Sequence, residues 1–254
     1  DVPLVAMLID DPAGKFDPSR EPFQIVRLRN SGSSGRSLKQ IAAAAKPSAL
    51  RLLLDRGHRN AIFLDPDILV RDGLDPLFTV VQQHAVTLTP HLVMPPDGPS
   101  CERRELDILR SGTFNAGFIG VSDTPSARQF LAWWDDRVAA HCTYRVADGV
   151  YYDQRWLDLA LVFFDDVSIL RDPVYNVAHW NLPERDLMRS RFVHFSGFDP
   201  DRPDHVTRYA DRLAMASLGE GAALFEKYAV LRRNAGYDET KRWTRRRWLR
   251  RRDA

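Results

Sequence analysis

Two aspartates one residue apart interrupt an apolar segment of this chain. Residues 61–70 read AIFLDPDILV, so Asp65 and Asp67 follow a short apolar run that is typical of a buried strand. Two neighbouring carboxylates raise each other's pKa unless a cation lies between them, and the simplest cation is a divalent metal with oxygen ligands. Ligands of open α/β sheets bind beyond the carboxyl ends of the strands. The pair is therefore placed to hold a metal that meets a phosphate, although Pro66 also favours an ordinary exposed turn.

Four polar residues further along the chain also stand out from their apolar surroundings. Asn115 lies inside the strand-like segment FNAGFIGV, where a buried amide needs a hydrogen-bond partner from the backbone or from a ligand. Asp153 and Gln154 precede an apolar helical segment, where capping is the alternative role for the aspartate. His194 lies in FVHFSGF and is either a satisfied core histidine or a third metal ligand beside the aspartates.

The order of apolar segments predicts an α/β protein. We expect strands at 3–9, 23–28, 61–64, 85–88 and 114–121, and helices at 37–56 and 124–140. Within the first helix Pro47 favours a new first turn directly after Lys46, and Gly57 favours its end. Four prolines between residues 90 and 99 indicate a long loop.

Composition is that of a soluble globular protein. The chain has 254 residues, 28% charged and 44% apolar, which suits one large α/β domain or two small ones. No apolar run approaches the roughly 20 residues that span a bilayer. Cys101 and Cys142 form neither a metal-ligand pair nor a disulfide framework, which favours a reducing cytoplasm. The chain opens with Asp1 and shows no signal peptide, so we expect a processing boundary at its start.

The charge is concentrated at the C-terminus. The last fourteen residues carry eight basic side chains against Asp253, a net +7, while the remainder has 28 basic and 33 acidic residues, a net −5. Trp243 and Trp248 lie among these basic residues. This composition predicts a tail that binds an anionic membrane surface, with a solvated end as the alternative and non-specific nucleic-acid binding as the weaker option.

Taken together, five segments resemble a known family. LDPDILV, TFNAGFIGV, DQRWLDL, NVAHWNL and VHFSGF occur in the order found in bacterial glycosyltransferases of the GT-A fold, and they look most like the retaining branch related to family 8. The resemblance covers residues 1–237, with 238–254 left as the basic tail. It implies a Rossmann-like fold with a mixed central sheet flanked by helices. The usual first strand, which carries part of the nucleotide-base site, is absent from the chain.

The resemblance also implies roles for particular residues. Asp65, Asp67 and His194 would bind Mn²⁺ or Mg²⁺, and the metal would hold the diphosphate of a UDP- or GDP-sugar. Asp153 and Gln154 would be the catalytic pair. Further residues that would contact the donor are Lys46, Asp65, Asp67, Asn115, Asp153 and Gly197.

We therefore predict a metal-dependent glycosyltransferase that acts with retention on a glycan, lipid-linked or protein acceptor. It would work in the cytoplasm or at the inner face of the membrane. A catalytically silent module of the same fold is the first alternative. A phosphatase-like enzyme with Asp65 as nucleophile is the second, but it would need Thr or Gly soon after Asp67, where Ile68 and Leu69 stand.

Overall fold

The computed structural model describes residues 2–9, 15–28, 35–182, 184–210 and 213–250, with side chains up to residue 243. Its strands are β1 Val5–Leu8, β2 Gln24–Arg27, β3 Asn60–Leu64, β4 Ile68–Val70, β5 Val86–Pro90, β6 Phe114–Ser122, β7 Tyr144–Arg145, β8 Val150–Tyr151, β9 Val167–Ile169 and β10 Phe192–His194. Its α-helices are α1 Leu38–Ala44, α2 Lys46–Asp55, α3 Asp75–Val81, α4 Cys101–Ser111, α5 Pro125–His141, α6 Ala160–Phe163, α7 Ala222–Asn234 and α8 Tyr237–Arg250.

The chain forms two compact units, and it passes from the first to the second directly after Asp65. The first unit comprises residues 1–65 and 73–172, and the second comprises residues 66–72 and 173–254. None of the helices among the described residues is both long enough and apolar enough to cross a membrane.

The first unit is built on a mixed four-stranded sheet in the order β3-β6-β5-β9. Strand β6 runs antiparallel to both neighbours, and β5 pairs parallel with β9. All nine residues of β6 are buried, because this apolar strand is central and covered on both faces. Helix α5 packs the fully buried Phe130 and Trp134 on this core, with their rings stacked at 5.6 Å. A mixed α/β architecture with flanking helices, as predicted, is confirmed.

The second unit has a smaller core. Strand β4 pairs antiparallel with β10, so that His194 lies opposite Ile68. Four aromatic residues pack beside this pair, and the rings of Phe195 and Tyr228 stack with their centroids 3.9 Å apart. The amide of Phe195 donates to the carbonyl of Asp67, which fixes the backbone of the second aspartate on the end of β10.

Most of the predicted elements are confirmed, with boundary differences. The helix predicted for 37–56 is two helices that meet at Ala45, and the second begins at Lys46, so Pro47 is its second residue. Asp153 and Gln154 do not open a regular α-helix; a 3-10 turn, Arg155–Leu159, follows them and leads into α6. Helix α4 was not among the predicted elements, and none of its residues is buried.

Candidate active site

A buried lysine organises the predicted site residues of the first unit. Lys46 is the first residue of α2 and is only 6% exposed. Its Nζ lies 3.0 Å from Asp65 Oδ1, 3.0 Å from Asp153 Oδ2 and 2.9 Å from the carbonyl oxygen of Ala116. An ammonium group has three hydrogens to donate, and three protein oxygens lie around this one. Lys46 therefore joins the end of β3, the middle of β6 and the Asp153 segment at a single point.

A backbone hydrogen bond also fixes the position of Asp65. It directly follows β3, and its amide donates to the carbonyl of Gly117 on β6 at 2.8 Å. This bond extends the pairing of β3 with β6 by one residue, so the side chain of Asp65 starts from a fixed backbone position. The predicted location of this aspartate, at the carboxyl end of a strand, is confirmed by the sheet.

Electrostatics in this cluster follow from burial and from one cation shared by two carboxylates. Burial lowers the pKa of Lys46, but the charges of Asp153 and Asp65 outweigh it, and the pKa of the ammonium ends above its ordinary value. Burial raises the pKa of Asp153, and nearby Asp65 raises it further, while Lys46 opposes both effects. Lys46 thus stays charged throughout the physiological pH range, and burial makes the ionised form of Asp153 less favourable.

The capping role left open for Asp153 is not what the structure gives. The 3-10 turn that follows has Gln154 at its N-cap and no capping side chain. Instead, the carbonyl of Asp153 accepts a hydrogen bond from the indole of the buried Trp134, and its carboxylate faces Lys46. Asp153 Oδ2 is buried, and its partner among the described residues is the ammonium of Lys46. A carboxylate has about four lone-pair sites on its two oxygens, so this contact leaves capacity to accept a hydrogen bond from a ligand hydroxyl.

Asn115 and Gln154 form an amide network next to this cluster. Gln154 Oε1 accepts from Asn115 Nδ2 and from the amide of Ala116, both at 3.2 Å, and its Nε2 donates to the carbonyl of Ser111. Asn115 Oδ1 accepts from the amide of Gly117. Ala116 therefore bonds Gln154 through its amide and Lys46 through its carbonyl, which couples the network to the ion pairs.

The second unit holds the other two predicted metal ligands. His194 ends β10 and is 4% exposed, and its Nε2 lies 3.0 Å from Asp67 Oδ1. The amide of His194 donates to the carbonyl of Val177, and the ring of Trp180 lies edge-on to the imidazole at 5.3 Å. The imidazole therefore has a protein partner, as a satisfied core histidine would, and that partner is the carboxylate that the metal hypothesis selected.

A tight turn follows His194. Gly197 has a φ of +75°, and a Cβ at this position would lie 2.6 Å from the ring of Tyr209 and 2.7 Å from Thr207 Oγ1. The carbonyl of Gly197 accepts from the amide of Arg208 at 3.0 Å. Glycine is required here by both its conformation and its neighbours, so the turn brings backbone close to Tyr209 and Arg208. No sequence pattern selected Tyr209 or Arg208 as a site residue, because both lie in a loop.

The predicted residues thus fall into three groups in the described structure. Lys46, Asp65 and Asp153 share one ion-pair cluster, and Asn115 and Gln154 form the adjoining network. Asp67 and His194 pair in the second unit, with Gly197 three residues further on. Among the missed residues, Trp134 and the carbonyl of Ala116 support this arrangement, but a core tryptophan and a backbone oxygen leave no motif in a sequence.

Asp65, Asp67 and His194 offer two carboxylates and one imidazole as ligand groups for a metal ion. This donor set fits a divalent cation that accepts oxygen ligands and tolerates one nitrogen, as Mn²⁺ and Mg²⁺ do. Only Pro66 separates the two aspartates, so their Cα atoms lie within about 7 Å of each other by covalent geometry alone. The residues present therefore fit the predicted metal by their chemistry.

Comparisons with known proteins give distant similarities. No protein-family model matches the chain. It is 25% identical over 169 residues to YfnF, an uncharacterized protein of Bacillus subtilis strain 168, and the match covers 60% of this chain and 55% of that protein. The chain thus spans about half the length of the curated relative it matches.

Solved structures of glycosyltransferases are among those that resemble this chain. Galactosyltransferase LgtC, solved with donor and acceptor sugar analogs, is 20% identical with a TM-score of 0.47, covering 82% of this chain and 74% of LgtC. GlyE of Streptococcus pneumoniae TIGR4 is 15% identical with a TM-score of 0.47, covering 92% of this chain and 56% of GlyE. At these values the roles of individual residues rest on the chemistry of this chain.

Proposed function

We propose that this protein is a metal-dependent glycosyltransferase that moves a sugar from a UDP- or GDP-sugar to a glycan, lipid-linked or protein acceptor. The observation that carries the proposal is the buried Lys46, whose ammonium lies 3.0 Å from both Asp65 and Asp153. It ties a carboxylate of the Asp-Pro-Asp segment to a buried carboxylate from a different part of the fold. A nucleotide-sugar has two parts that need such groups. Asp65 would serve the diphosphate through the metal, and Asp153 would serve the sugar.

Asp65, Asp67 and His194 would hold Mn²⁺ or Mg²⁺. When bound, the metal would neutralise the charge that builds on the departing diphosphate. The contact of His194 Nε2 with Asp67 Oδ1 supports this role, because both ligand atoms point at the same place within one unit. A metal would bind the imidazole through an unprotonated ring nitrogen, so the ion would take the place of the contact between Nε2 and Asp67 Oδ1.

The first unit would hold the sugar. Asp153 Oδ2 has capacity to accept a hydrogen bond from a sugar hydroxyl, and Asn115 lies in the adjoining network. Gln154 was predicted as one of a catalytic pair, but its amide oxygen and nitrogen bond Asn115, Ala116 and Ser111. We assign it to positioning Asn115, and we assign Lys46, whose three hydrogens meet protein oxygens, to positioning Asp65 and Asp153.

A screen of nucleotide-sugars for metal-dependent hydrolysis tests the proposal. Wild-type protein, stripped with EDTA and reloaded with Mn²⁺ or Mg²⁺, should hydrolyse one donor only when the metal is present. Asp65→Asn and Asp67→Asn should fold and lose this activity, whereas Asp172→Asn, a change to an exposed aspartate, should keep it. Full activity of both site variants in EDTA would contradict the proposal.

Retention of the anomeric configuration is the finer part of the proposal. It rests on the resemblance of the Asp153-Gln154 and VHFSG segments to the family 8 branch. Proton NMR of the first-formed product distinguishes the two outcomes, because an axial and an equatorial anomeric proton differ in coupling. An inverted product would place the chain in another branch while leaving metal-dependent transfer intact.

Contact of the basic tail with an anionic membrane surface also stays a proposal. At the start of α8, Lys241 lies 2.8 Å from Asp201 and 3.1 Å from Asp238, so its charge is locally compensated. The side chains from residue 244 onward lie outside the described part of the chain. Deleting residues 241–254 should weaken binding to anionic liposomes and leave donor hydrolysis unchanged, and salt should weaken wild-type binding in the same way. Unchanged liposome binding would leave the tail as a solvated end.

A further inference from the structure

Three tyrosines form a mutually contacting cluster directly before Asp153. Tyr144 lies on β7, Tyr151 on β8, and Tyr152 follows β8. The ring centroids are 5.4 Å apart for Tyr144 and Tyr151, 6.1 Å for Tyr144 and Tyr152, and 5.6 Å for Tyr151 and Tyr152. The predicted sugar-facing residue is the next in the chain. We name this group the tyrosine cluster.

The hairpin explains why two of the three rings, those of Tyr144 and Tyr151, lie on one surface. Tyr144 and Tyr151 are directly opposite in the antiparallel pairing of β7 with β8, so their side chains share a face. Val150 has the opposite orientation and is buried at 6%, which turns the tyrosine face away from the core. Tyr144 is consequently 58% exposed, although a strand residue of this size is usually covered.

The link from the cluster to Asp153 is short and has an unusual backbone. Tyr152 has a φ of +49°, a conformation that non-glycine residues rarely adopt. Its amide donates to the carbonyl of Thr143 at 2.8 Å, and the amide of Gln154 donates to the carbonyl of Tyr151. These bonds hold the turn from the hairpin to Asp153, whose carbonyl is fixed by Trp134. The Cα atoms of Tyr151 and Asp153 are separated by no more than about 7 Å of chain.

We propose that the tyrosine cluster binds the saccharide acceptor, with the exposed ring of Tyr144 stacking on the apolar face of a pyranose ring. This inference rests on the proposed function, since the cluster directly precedes, along the chain, the residue whose carboxylate is assigned to the donor sugar. Tyrosine suits the task because its ring offers an apolar face and its hydroxyl offers a hydrogen-bonding edge. Ligand sites commonly combine such aromatic surface with a few fixed polar groups.

A pyranose fits this surface better than a nucleobase does. The interplanar angles within the cluster are 64°, 46° and 89°, so no two rings lie parallel as the walls of a slot for a flat base. A single exposed ring face is flat and apolar, and the C–H groups on one side of a pyranose can pack against it. Lys39 lies 4.4 Å from the ring of Tyr152 and adds a cation beside the cluster, suited to the oxygen atoms of a saccharide.

Saturation-transfer NMR on the whole chain tests the inference without knowledge of the natural acceptor. The probes are the methyl α- and β-glycosides of glucose, galactose, mannose and N-acetylglucosamine, with lactose, maltose and cellobiose. Each is titrated against wild type, Tyr144→Ala, Tyr144→Phe and Phe163→Ala. The last is a control at an aromatic residue of similar exposure, 54%, on α6 of the same unit.

At least one probe should bind wild type, and Tyr144→Ala should weaken it by roughly three- to tenfold, the range for loss of one aromatic contact. Tyr144→Phe should retain most of the affinity, because the ring face remains, and Phe163→Ala should match wild type. Equal affinity of Tyr144→Ala and wild type, absence of binding by every probe, or displacement of the saccharide by free uridine or guanosine would each overturn the inference.

The same samples separate this inference from the proposed function. The titrations contain no nucleotide and no metal, so they report the saccharide surface alone. Loss of saccharide binding in Tyr144→Ala from a wild type that hydrolyses no nucleotide-sugar would keep the tyrosine cluster as a sugar site and remove the transferase proposal. Metal-dependent donor hydrolysis by wild type, together with unaltered saccharide binding by Tyr144→Ala, would do the reverse.

Discussion

The two aspartates of the Asp-Pro-Asp segment are served by different cations in the two units of the molecule. In the first unit Asp65 faces the buried Lys46, which is charged at physiological pH and which it shares with Asp153. In the second unit Asp67, with a side chain 38% exposed, faces His194, whose charge depends on protonation. In the first arrangement one protein cation is shared by two carboxylates and compensates part of their charge. The second pairs a carboxylate with an imidazole, and both groups are metal ligands by type.

The separate partners of Asp65 and Asp67 differ from what the sequence predicted. Two carboxylates one residue apart were expected to need a metal between them to relieve their repulsion. The structure supplies a separate protein partner for each, so the pair does not by itself demand an ion. The case for the metal rests instead on the ligand chemistry of Asp67 and His194 together with the fixed position of Asp65.

Removing Lys46 should have the largest effect on the free energy of unfolding. It tests the contrast between the two units most directly. Lys46→Met keeps the length and apolar stem of the side chain but leaves Asp153 buried without its cation. Loss of one partner of a buried ion pair costs about 3–5 kcal/mol of unfolding free energy. Urea denaturation measures this cost. Lys227→Met, at an exposed position on α7, is the control and should change stability by less than about 0.5 kcal/mol.

A double variant sharpens that result. Asp153→Asn added to Lys46→Met removes the uncompensated charge, so part of the lost stability should return. Stability of the single variant within about 1 kcal/mol of wild type would show that water reaches Asp153 and that Lys46 does not govern the cluster.

High pH should reproduce part of the Lys46→Met effect in the wild type. The pKa of Lys46 is raised in the folded protein above its ordinary value of 10.5. A raised pKa means that the folded state holds this proton more tightly than the unfolded state. The resulting stability is therefore complete below pH 10.5 and is lost as the pH rises through the folded pKa. Urea titrations from pH 9 upward should show a steeper decline for wild type than for Lys46→Met, and parallel declines would contradict the assignment.

Two glycines with almost identical backbones allow a matched comparison of the turns in the two units. Gly149, with a φ of +74°, would place a Cβ in open space, whereas Gly197, with a φ of +75°, would place one against Tyr209 and Thr207. Gly149→Ala should cost about 1–2 kcal/mol from the left-handed conformation alone. Gly197→Ala should cost about 1–3 kcal/mol more, because neighbouring atoms must move. Equal losses in thermal or urea unfolding would mean that Tyr209 swings aside freely.

The sequence predicts those parts of this molecule in which apolar periodicity and position agree. Strands β3 and β6 follow from uninterrupted apolar runs, and the position of Asp65 after β3 follows with them. The break before Pro47 was expected as well, because proline favours the first turn of a helix. Helix α4 was not predicted, and its Leu106 and Leu109 are exposed in the structure.

The partnerships in the candidate site were harder to predict than its members. Lys46, Asp65 and Asp153 were each selected, but nothing in the sequence places one ammonium between two carboxylates that are separated by 88 positions along the chain. Asp153 equally satisfied the pattern of a helix cap, and only its distance to Lys46 distinguishes the roles. Long-range ion pairs depend on how the sheet brings distant segments together, which local patterns do not encode.

The smallest effect on stability is expected at Asp67, and it sharpens the contrast with Lys46. Asp67→Asn removes a partly exposed charge from His194, and such pairs contribute about 0–1 kcal/mol. The metal-free variant should therefore unfold within about 1 kcal/mol of wild type. Added Mn²⁺ should raise the melting temperature of wild type, because an ion that binds only the folded state stabilises it, and should leave that of Asp67→Asn unchanged. Lys227→Met should keep the wild-type response to Mn²⁺, since its position lies outside the ligand set. A Mn²⁺ response in Asp67→Asn equal to that of wild type would remove this carboxylate from the metal site, and the pairing with His194 would then be a structural contact of the second unit.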